Sequence, residues 1–259
     1  MVGWDSGVAY DAFMGRWSRL VAKEFLTALG MAPGLRWLDV GCGTGALTET
    51  ILDTSDAHSV HGIDLSPAFV ELAGDRLAGR ARFHVASGAA TPFEDGDFDV
   101  VVSGLALNFM PDAQEALTEW RRVVRPGGVV GVYVWDYSER MGFLRAFWDA
   151  VGRVSTETSD GEQAERNQIC KPERLHRAFE AVGLSEVDVG HIEIITRFDD
   201  FDDFWRPFLL GVGPAGSHVA DLDEAARSRL ASHLEQSLSK GPDGSIELPA
   251  RAWMASGRH

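Results

Sequence analysis

Cysteine is scarce in this chain, with Cys42 and Cys170 the only two among 259 residues. Two cysteines so far apart supply neither a disulfide framework nor a four-ligand zinc site. Basic residues are also in short supply, 24 Lys and Arg against 39 Asp and Glu, for a formal charge of −15. Recognition of a phosphate backbone needs clustered cations, so no nucleic-acid partner is expected. No apolar run approaches the roughly 20 residues that span a bilayer. The longest, residues 100–110, is interrupted by Ser103, Gly104 and Asn108. Asp5, Asp11, Arg16 and Arg19 leave no apolar stretch among the first residues, so neither a secretory signal nor a membrane partner is expected, and the reading is cytoplasmic. Internal repeats and low-complexity segments are missing too. With 45% hydrophobic and 24% charged residues, the composition is that of a globular protein.

The most informative stretch present is LDVGCGTG at residues 38–45. Arg36, Trp37, Leu38 and Val40 read as a short buried strand, and Gly41, Gly43 and Gly45 permit a tight turn that a ligand can approach closely. Residues 44–53 continue as a helix. A glycine turn between strand and helix aims unpaired backbone N–H groups at the ligand, as nucleotide and nucleoside sites do. The spacing leaves the ligand open, because Gly41, Gly43 and Ala46 also satisfy the relaxed dinucleotide fingerprint. Asp39 stands at the strand end, where a buried carboxylate is costly unless paired. A ligand amine would pair with it, and so would the N–H groups of the turn.

Beyond this turn, strands are expected at residues 59–63, 81–86, 98–102 and 129–134. Ser66 and Pro67 open a helix as N-cap and first residue, with Phe69, Val70, Leu72, Ala73 and Leu77 as its apolar face. A further helix covers residues 113–124. Alternating strands and helices imply a parallel sheet covered on both faces, with the ligand at the carboxyl ends of the strands. Helical patterns at 142–154 and 172–182, and strands at 187–195 and 245–254, follow. Between the last two, residues 198–240 are too long and too aromatic for a plain connection. Phe198, Phe201, Phe204, Trp205 and Phe208 suit either a cap over the site or anchors that hold an insertion to the sheet.

LDVGCGTG, GIDLS at 62–66, TPFEDGDFDVVVSGLALNF at 91–109 and RRVVRPGG at 121–128 occur in that order. In these motifs, over roughly residues 10–136, the chain resembles the class I S-adenosylmethionine-dependent methyltransferases, in particular bacterial small-molecule enzymes of the ubiquinone-biosynthesis type. The resemblance implies an α/β, Rossmann-like, doubly wound fold with a mostly parallel seven-stranded sheet, an antiparallel terminal strand and an inserted helical cap. It implies a single domain over 1–259, with the cofactor core at 10–136 continued by 171–197 and 244–259, and cap segments at 137–170 and 198–243.

The same resemblance puts Gly41, Gly43 and Gly45 around the methionyl and ribose parts of S-adenosylmethionine. Asp39 belongs to that motif, and Asp64 would hold the ribose diol. Leu65 would lie on the adenine ring, and Ser87, Gly88 and Ala89 would read its polar edge. Ser103 and Gly104 would pass the sulfonium, with a Ser103 carbonyl or hydroxyl on the methionine amine. Asn108 stands where the family often has an imidazole, so it positions a ligand rather than acting as a base. Tyr10, Arg16 and Trp17 belong to a leading helix, in which Arg16 could clamp the methionine carboxylate.

Methyl transfer from a sulfonium is an in-line displacement that mainly requires alignment. A general base is needed only for a protonated acceptor, and His191, His218, Asp136 and Tyr137 are the weak candidates. No metal is expected, since His58 and His61 lack a third ligand, and Asp199, Asp200, Asp202 and Asp203 read as a solvated helix start. The leading expectation is methylation of a small, fairly apolar acceptor. A nicotinamide (NAD(P))-dependent oxidoreductase and a non-catalytic cofactor-binding protein are the alternatives.

Overall fold

The computed structural model describes residues 15–154, 167–211 and 213–259. Tyr10 lies outside the described residues, as do residues 155–166. Helix α1 (Arg16–Leu29) buries Trp17, Val21, Ala22, Phe25 and Leu26, a helical stripe that ends at Gly30 in the left-handed conformation.

Strand β1 (Arg36–Val40) leads through the glycine turn into α2 (Ala46–Thr54). Strand β2 (Ser59–Asp64) leads into α3 (Pro67–Arg76), whose N-cap Ser66 accepts a hydrogen bond from Phe69 N–H. The apolar face expected on α3 is narrower than its sequence suggests. Ala73 and, at the C-cap, Leu77 are buried, Phe69 and Val70 are half-buried and Leu72 faces solvent, because the helix covers the outer strands β2 and β3 (Arg82–Val85) of a sheet edge. Strand β4 (Phe98–Gly104) is followed by a 3-10 turn at Leu107–Phe109 and by α4 (Ala113–Val123), capped by Asp112. Strand β5 (Val124–Trp135), α5 (Gly142–Val154), α6 (Pro172–Ala181) and the long strands β6 (Ser185–Phe198) and β7 (Ile246–Arg258) complete the sheet.

The seven strands lie in the order β3-β2-β1-β4-β5-β7-β6. Pairing is parallel from β3 to β5, and β7 is antiparallel to both neighbours. This is the doubly wound arrangement expected, with the antiparallel terminal strand in place. Alternation along the central strands builds two apolar layers. Trp37, Val100, Val102, Tyr133 and Trp135 pack with α1, α2 and α5 on one face; Leu38, Val40, Val101, Val130, Val132 and Val134 pack with Leu117, Trp120, Leu175 and Phe179 on the other.

Strands β6 and β7 are longer than the sequence pattern suggests. Only residues 252–258 of β7 pair with β5; residues 246–251 pair with β6 and, through Ala250, with Met141. The two strands therefore run on past the carboxyl end of β5 as a hairpin, about 20 Å at the usual rise per residue. One side of the hairpin is buried at Ile192, Ile194, Thr196 and Phe198, and the other exposes His191, Glu193, Ile195 and Arg197. At its tip sit α7 (Phe201–Trp205), a 3-10 turn at Arg206–Leu210, α8 (Gly213–Asp221) and α9 (Glu224–Ser237). Among the described residues, no helix is long and apolar enough to cross a membrane.

Candidate functional site

The carboxyl ends of β1, β2 and β4 gather the residues singled out in the sequence. Gly41, Gly43 and Gly45 all have positive φ, +70°, +53° and +88°, which side-chain-bearing residues rarely adopt. The turn is held by Gly41 N–H and Cys42 N–H, which both donate to Ile63 O at 2.8 and 2.9 Å. A Cβ on Gly41 would run into Ala106 Cβ at 2.5 Å, whereas one on Gly43 would meet nothing within 4 Å. Gly43 is thus the point of the turn that a ligand can reach.

Asp39 is fully buried directly before this turn. Thr48 Oγ1, on α2, donates to its Oδ2 at 2.6 Å, and its Oδ1 has no hydrogen-bond partner. Burial pushes its pKa up to about 7; the hydrogen bonds from Thr48 oppose the rise, and the neighbouring Asp64 carboxylate adds to it. The group is poised to take a cation, since an ammonium beside Oδ1 would satisfy the orphaned oxygen and favour the ionised form.

Asp64 ends β2. Its Oδ2 accepts from Gly43 N–H at 3.0 Å and its Oδ1 from Ser66 N–H at 2.9 Å. These bonds, with one from the Leu65 backbone, fix the carboxylate and leave part of its roughly four lone-pair directions open to a vicinal diol. Burial raises its pKa, against the hydrogen bonds from Ser66, Gly43 and Leu65. Next to it Leu65 is 67% exposed, an apolar side chain left uncovered beside this fixed carboxylate.

The third wall is the turn at 87–89. Ser87 Oγ accepts from Ala89 N–H at 3.2 Å, and Trp120 Nε1 donates to Gly88 O at 2.8 Å. A Cβ on Gly88 would press on Val40 Cγ1 at 2.8 Å and Met110 Cε at 3.0 Å, so the turn lies tight against the end of β1. Ser103, Gly104 and Asn108 close the fourth side. Leu105, which follows Gly104, has φ +60°, an unfavourable conformation for leucine stabilised by its N–H bond to Tyr133 O at 2.8 Å. Ser103 Oγ and Asn108 Oδ1 are buried without partners. The register pairs Asp39 with Val102, so the Ser103 hydroxyl emerges on the sheet face opposite Asp39.

Other candidates fall outside this cluster. Arg16 Nη1 donates to both Asp203 carboxylate oxygens at 3.1 and 2.9 Å, and its guanidinium lies over the rings of Trp17 and Phe198. It ties α1 to α7, where a clamp on the methionine carboxylate was expected. The acidic cluster is divided in the same way, with Asp203 paired to Arg16 and Asp200 capping α7 through Asp203 N–H.

Asp136 accepts from Ser138 N–H and Oγ, Glu139 N–H and Arg251 Nε at 2.9 Å, a saturated set that leaves it no role as a base. Tyr137 follows it, partly buried against the second apolar layer. His191 sits on the exposed side of β6, three strands from β4, or about 14 Å at the usual strand spacing. His218 packs on the rings of Phe147 and Trp148 within the cap. The cap aromatics also turn inward: Phe198, Phe204 and Phe208 are buried, and Phe147 stacks on Phe208 at 4.6 Å. They anchor the insertion, and among its described residues the large apolar groups left exposed are Leu209 and Leu210.

Thr48 and Trp120 carry no motif signal, although each holds a site residue. The amphipathic period of their helices shows that they face inward but not which strand end they meet.

Residues 38–132 match the model of a methyltransferase domain family. The chain is 31% identical to demethylmenaquinone methyltransferase of Staphylococcus aureus over 189 residues, 67% of this chain and 76% of that enzyme. It is 36% identical over 124 residues to an uncharacterized protein of Mycobacterium tuberculosis, a match that covers 47% of this chain and 44% of that protein. The chain thus spans less than half the length of this curated relative. Its fold is similar to that of phosphoethanolamine N-methyltransferase 2 of Haemonchus contortus in complex with S-adenosyl-L-methionine, with a TM-score of 0.59 at 18% identity over 98% of this chain and 57% of that one. The glycine turn, the orphaned Asp39 oxygen and the Asp64 carboxylate fit that cofactor's amine and diol, and with these matches the chain belongs to the class I S-adenosylmethionine-dependent methyltransferase family.

Proposed function

We propose that this protein transfers the methyl group of S-adenosylmethionine to a small, largely apolar acceptor by in-line displacement. The carrying observation is the pairing of two carboxylates at adjacent strand ends. Asp64 is fixed by Gly43 and Ser66 to meet a diol, and Asp39 has one oxygen without a partner to meet an ammonium. A nucleoside over β2 and an amino-acid tail over β1 and β4 describe one extended cofactor whose sulfonium lies between them. The bound cofactor supplies an activated methyl group; the chain's own task is to align it and keep water away.

Of the candidate bases, Asp136 is saturated, His191 and His218 lie away from the strand ends, and Tyr137 packs against both apolar layers. This supports an acceptor that arrives as a ready nucleophile. Support for its apolar character comes from Phe109 beside the end of β4 and from Leu209 and Leu210 on the cap, all more than 40% exposed. A relative named for demethylmenaquinone is consistent with a small-molecule acceptor.

Titration calorimetry with S-adenosylmethionine and with NAD(H) tests the reading. Saturable binding of the first and none of the second is expected; nicotinamide binding with no response to S-adenosylmethionine would reject it. A panel of small quinols, phenols and amines scored for S-adenosylhomocysteine release then identifies the acceptor class.

A further inference from the structure

The sheet register places Asp39, Val102 and Gly131 in one row across β1, β4 and β5, and Gly104 opposite Tyr133 two residues further on. Residues two apart along a strand share a face, so Tyr133 emerges on the face of Asp39. Its ring does not stand up from the sheet. A Cβ on Gly104 would collide with Tyr133 Oη first, and would lie 2.6 Å from Cζ and 3.0 Å from Cε1. That order of approach shows the phenol lying across β4 with its hydroxyl end over the Gly104 backbone. Phe25 of α1 braces the ring at 4.8 Å between centroids, and Tyr133 is 1% exposed. The next strand is β1, where Asp39 is level with Val102, two residues before Gly104 on the same face, and its Oδ1 has no hydrogen-bond partner.

A phenol oxygen accepts as well as donates, and a hydrogen bond from a cation to it is charge-assisted. We propose that Tyr133 is a cofactor-binding residue whose Oη, together with Asp39, receives the α-ammonium of the methionyl end, and that residue 104 is glycine so that the phenol can lie across β4. The inference rests on the S-adenosylmethionine reading above. It separates the two ends of the ligand, with Asp64 and Leu65 holding the nucleoside and Asp39 and Tyr133 holding the amino acid.

The test is Tyr133→Phe, titrated with S-adenosylhomocysteine and with 5′-methylthioadenosine, which share the nucleoside while only the first carries the amino-acid end. Affinity for S-adenosylhomocysteine should fall about tenfold or more, the size of a hydrogen bond to a charged group, and affinity for 5′-methylthioadenosine should stay as in the wild type. Equal loss for both ligands would make Tyr133 merely structural, and no loss for either would remove it from the site; each result overturns the proposal. Should Tyr133→Phe fail to fold, Gly104→Ala displaces the phenol with a methyl group, and because residue 104 itself borders the site, the expected result is a larger loss for S-adenosylhomocysteine than for 5′-methylthioadenosine. A wild-type protein that binds neither ligand would instead refute the methyltransferase reading, a failure distinguishable from an absent selectivity.

Discussion

Cofactor affinity should depend on pH through Asp39. Burial places the pKa of this carboxyl at about 7, against 3.8 in water, with Thr48 restraining the rise and Asp64 adding to it. An ammonium bound at Oδ1 needs the ionised form, so binding below pH 7 must expel a proton. Each pH unit below 7 then weakens binding about tenfold, or about 2.7 kcal/mol by pH 5. The window to measure is about pH 5 to 7, below the α-amino pKa of about 7.7 to 8, where the ligand keeps its charge. Calorimetry in two buffers of different ionisation enthalpy should count about one proton released per cofactor near pH 5.5. In Asp39→Asn the slope should vanish along with most of the affinity; a slope that survives there belongs to Asp64. Wild-type affinity that is flat across the window, with no proton release, would refute the reasoning. Stability without ligand moves the opposite way. The folded chain holds the proton more tightly than the unfolded one, so the contribution of Asp39 falls as pH rises from about 3.8 to about 7 and is lowest above that. Asp39→Asn should therefore melt higher than wild type at pH 8 while binding the cofactor worse.

Three further outcomes follow from the same geometry. Asp64→Ala should weaken cofactor binding by about 1.5 to 3 kcal/mol, the range for hydrogen bonds to a charged group; a folded variant with wild-type affinity would take Asp64 out of the site. Arg251→Ala leaves the buried Asp136 without its ion-pair partner and should cost about 3 kcal/mol in urea unfolding, with cofactor affinity of the folded protein unchanged; a cost below about 1 kcal/mol would show that the pair is not structural. Arg16→Ala removes a partly exposed ion pair with Asp203, so it should lower stability by less than about 1 kcal/mol and leave the dissociation constant for S-adenosylmethionine within twofold; a large loss of affinity would restore Arg16 as a carboxylate clamp.

What could be read in the sequence was what lies close along the chain. The glycine turn, the Ser66 cap, the apolar strands and Asp64 two residues before that cap each carry a local signature, and the structure places them as expected. Features set by lateral register were not legible. That Tyr133 lies over Gly104, or that Trp120 reaches the Gly88 carbonyl, depends on which strands are neighbours and how far each is shifted. Asp136 looked like a candidate base because Arg251, which saturates it, is 115 residues away. The aromatic cluster of the cap was ambiguous for a different reason. Composition marks Phe198, Phe204 and Phe208 as apolar, but it does not say whether they face a ligand or one another; in the structure they face one another.

The hairpin formed by β6 and β7 bears on how such a protein can change. Its strands leave the sheet side by side, with Phe198 still paired to Ile246 where the insertion begins and ends. Any segment whose two ends lie about 5 Å apart can be spliced in at that point without altering a strand of the cofactor-binding half. On the function proposed above, exchange of this one cassette would change the groups beside the acceptor and leave the strands that carry the glycine turn as they are.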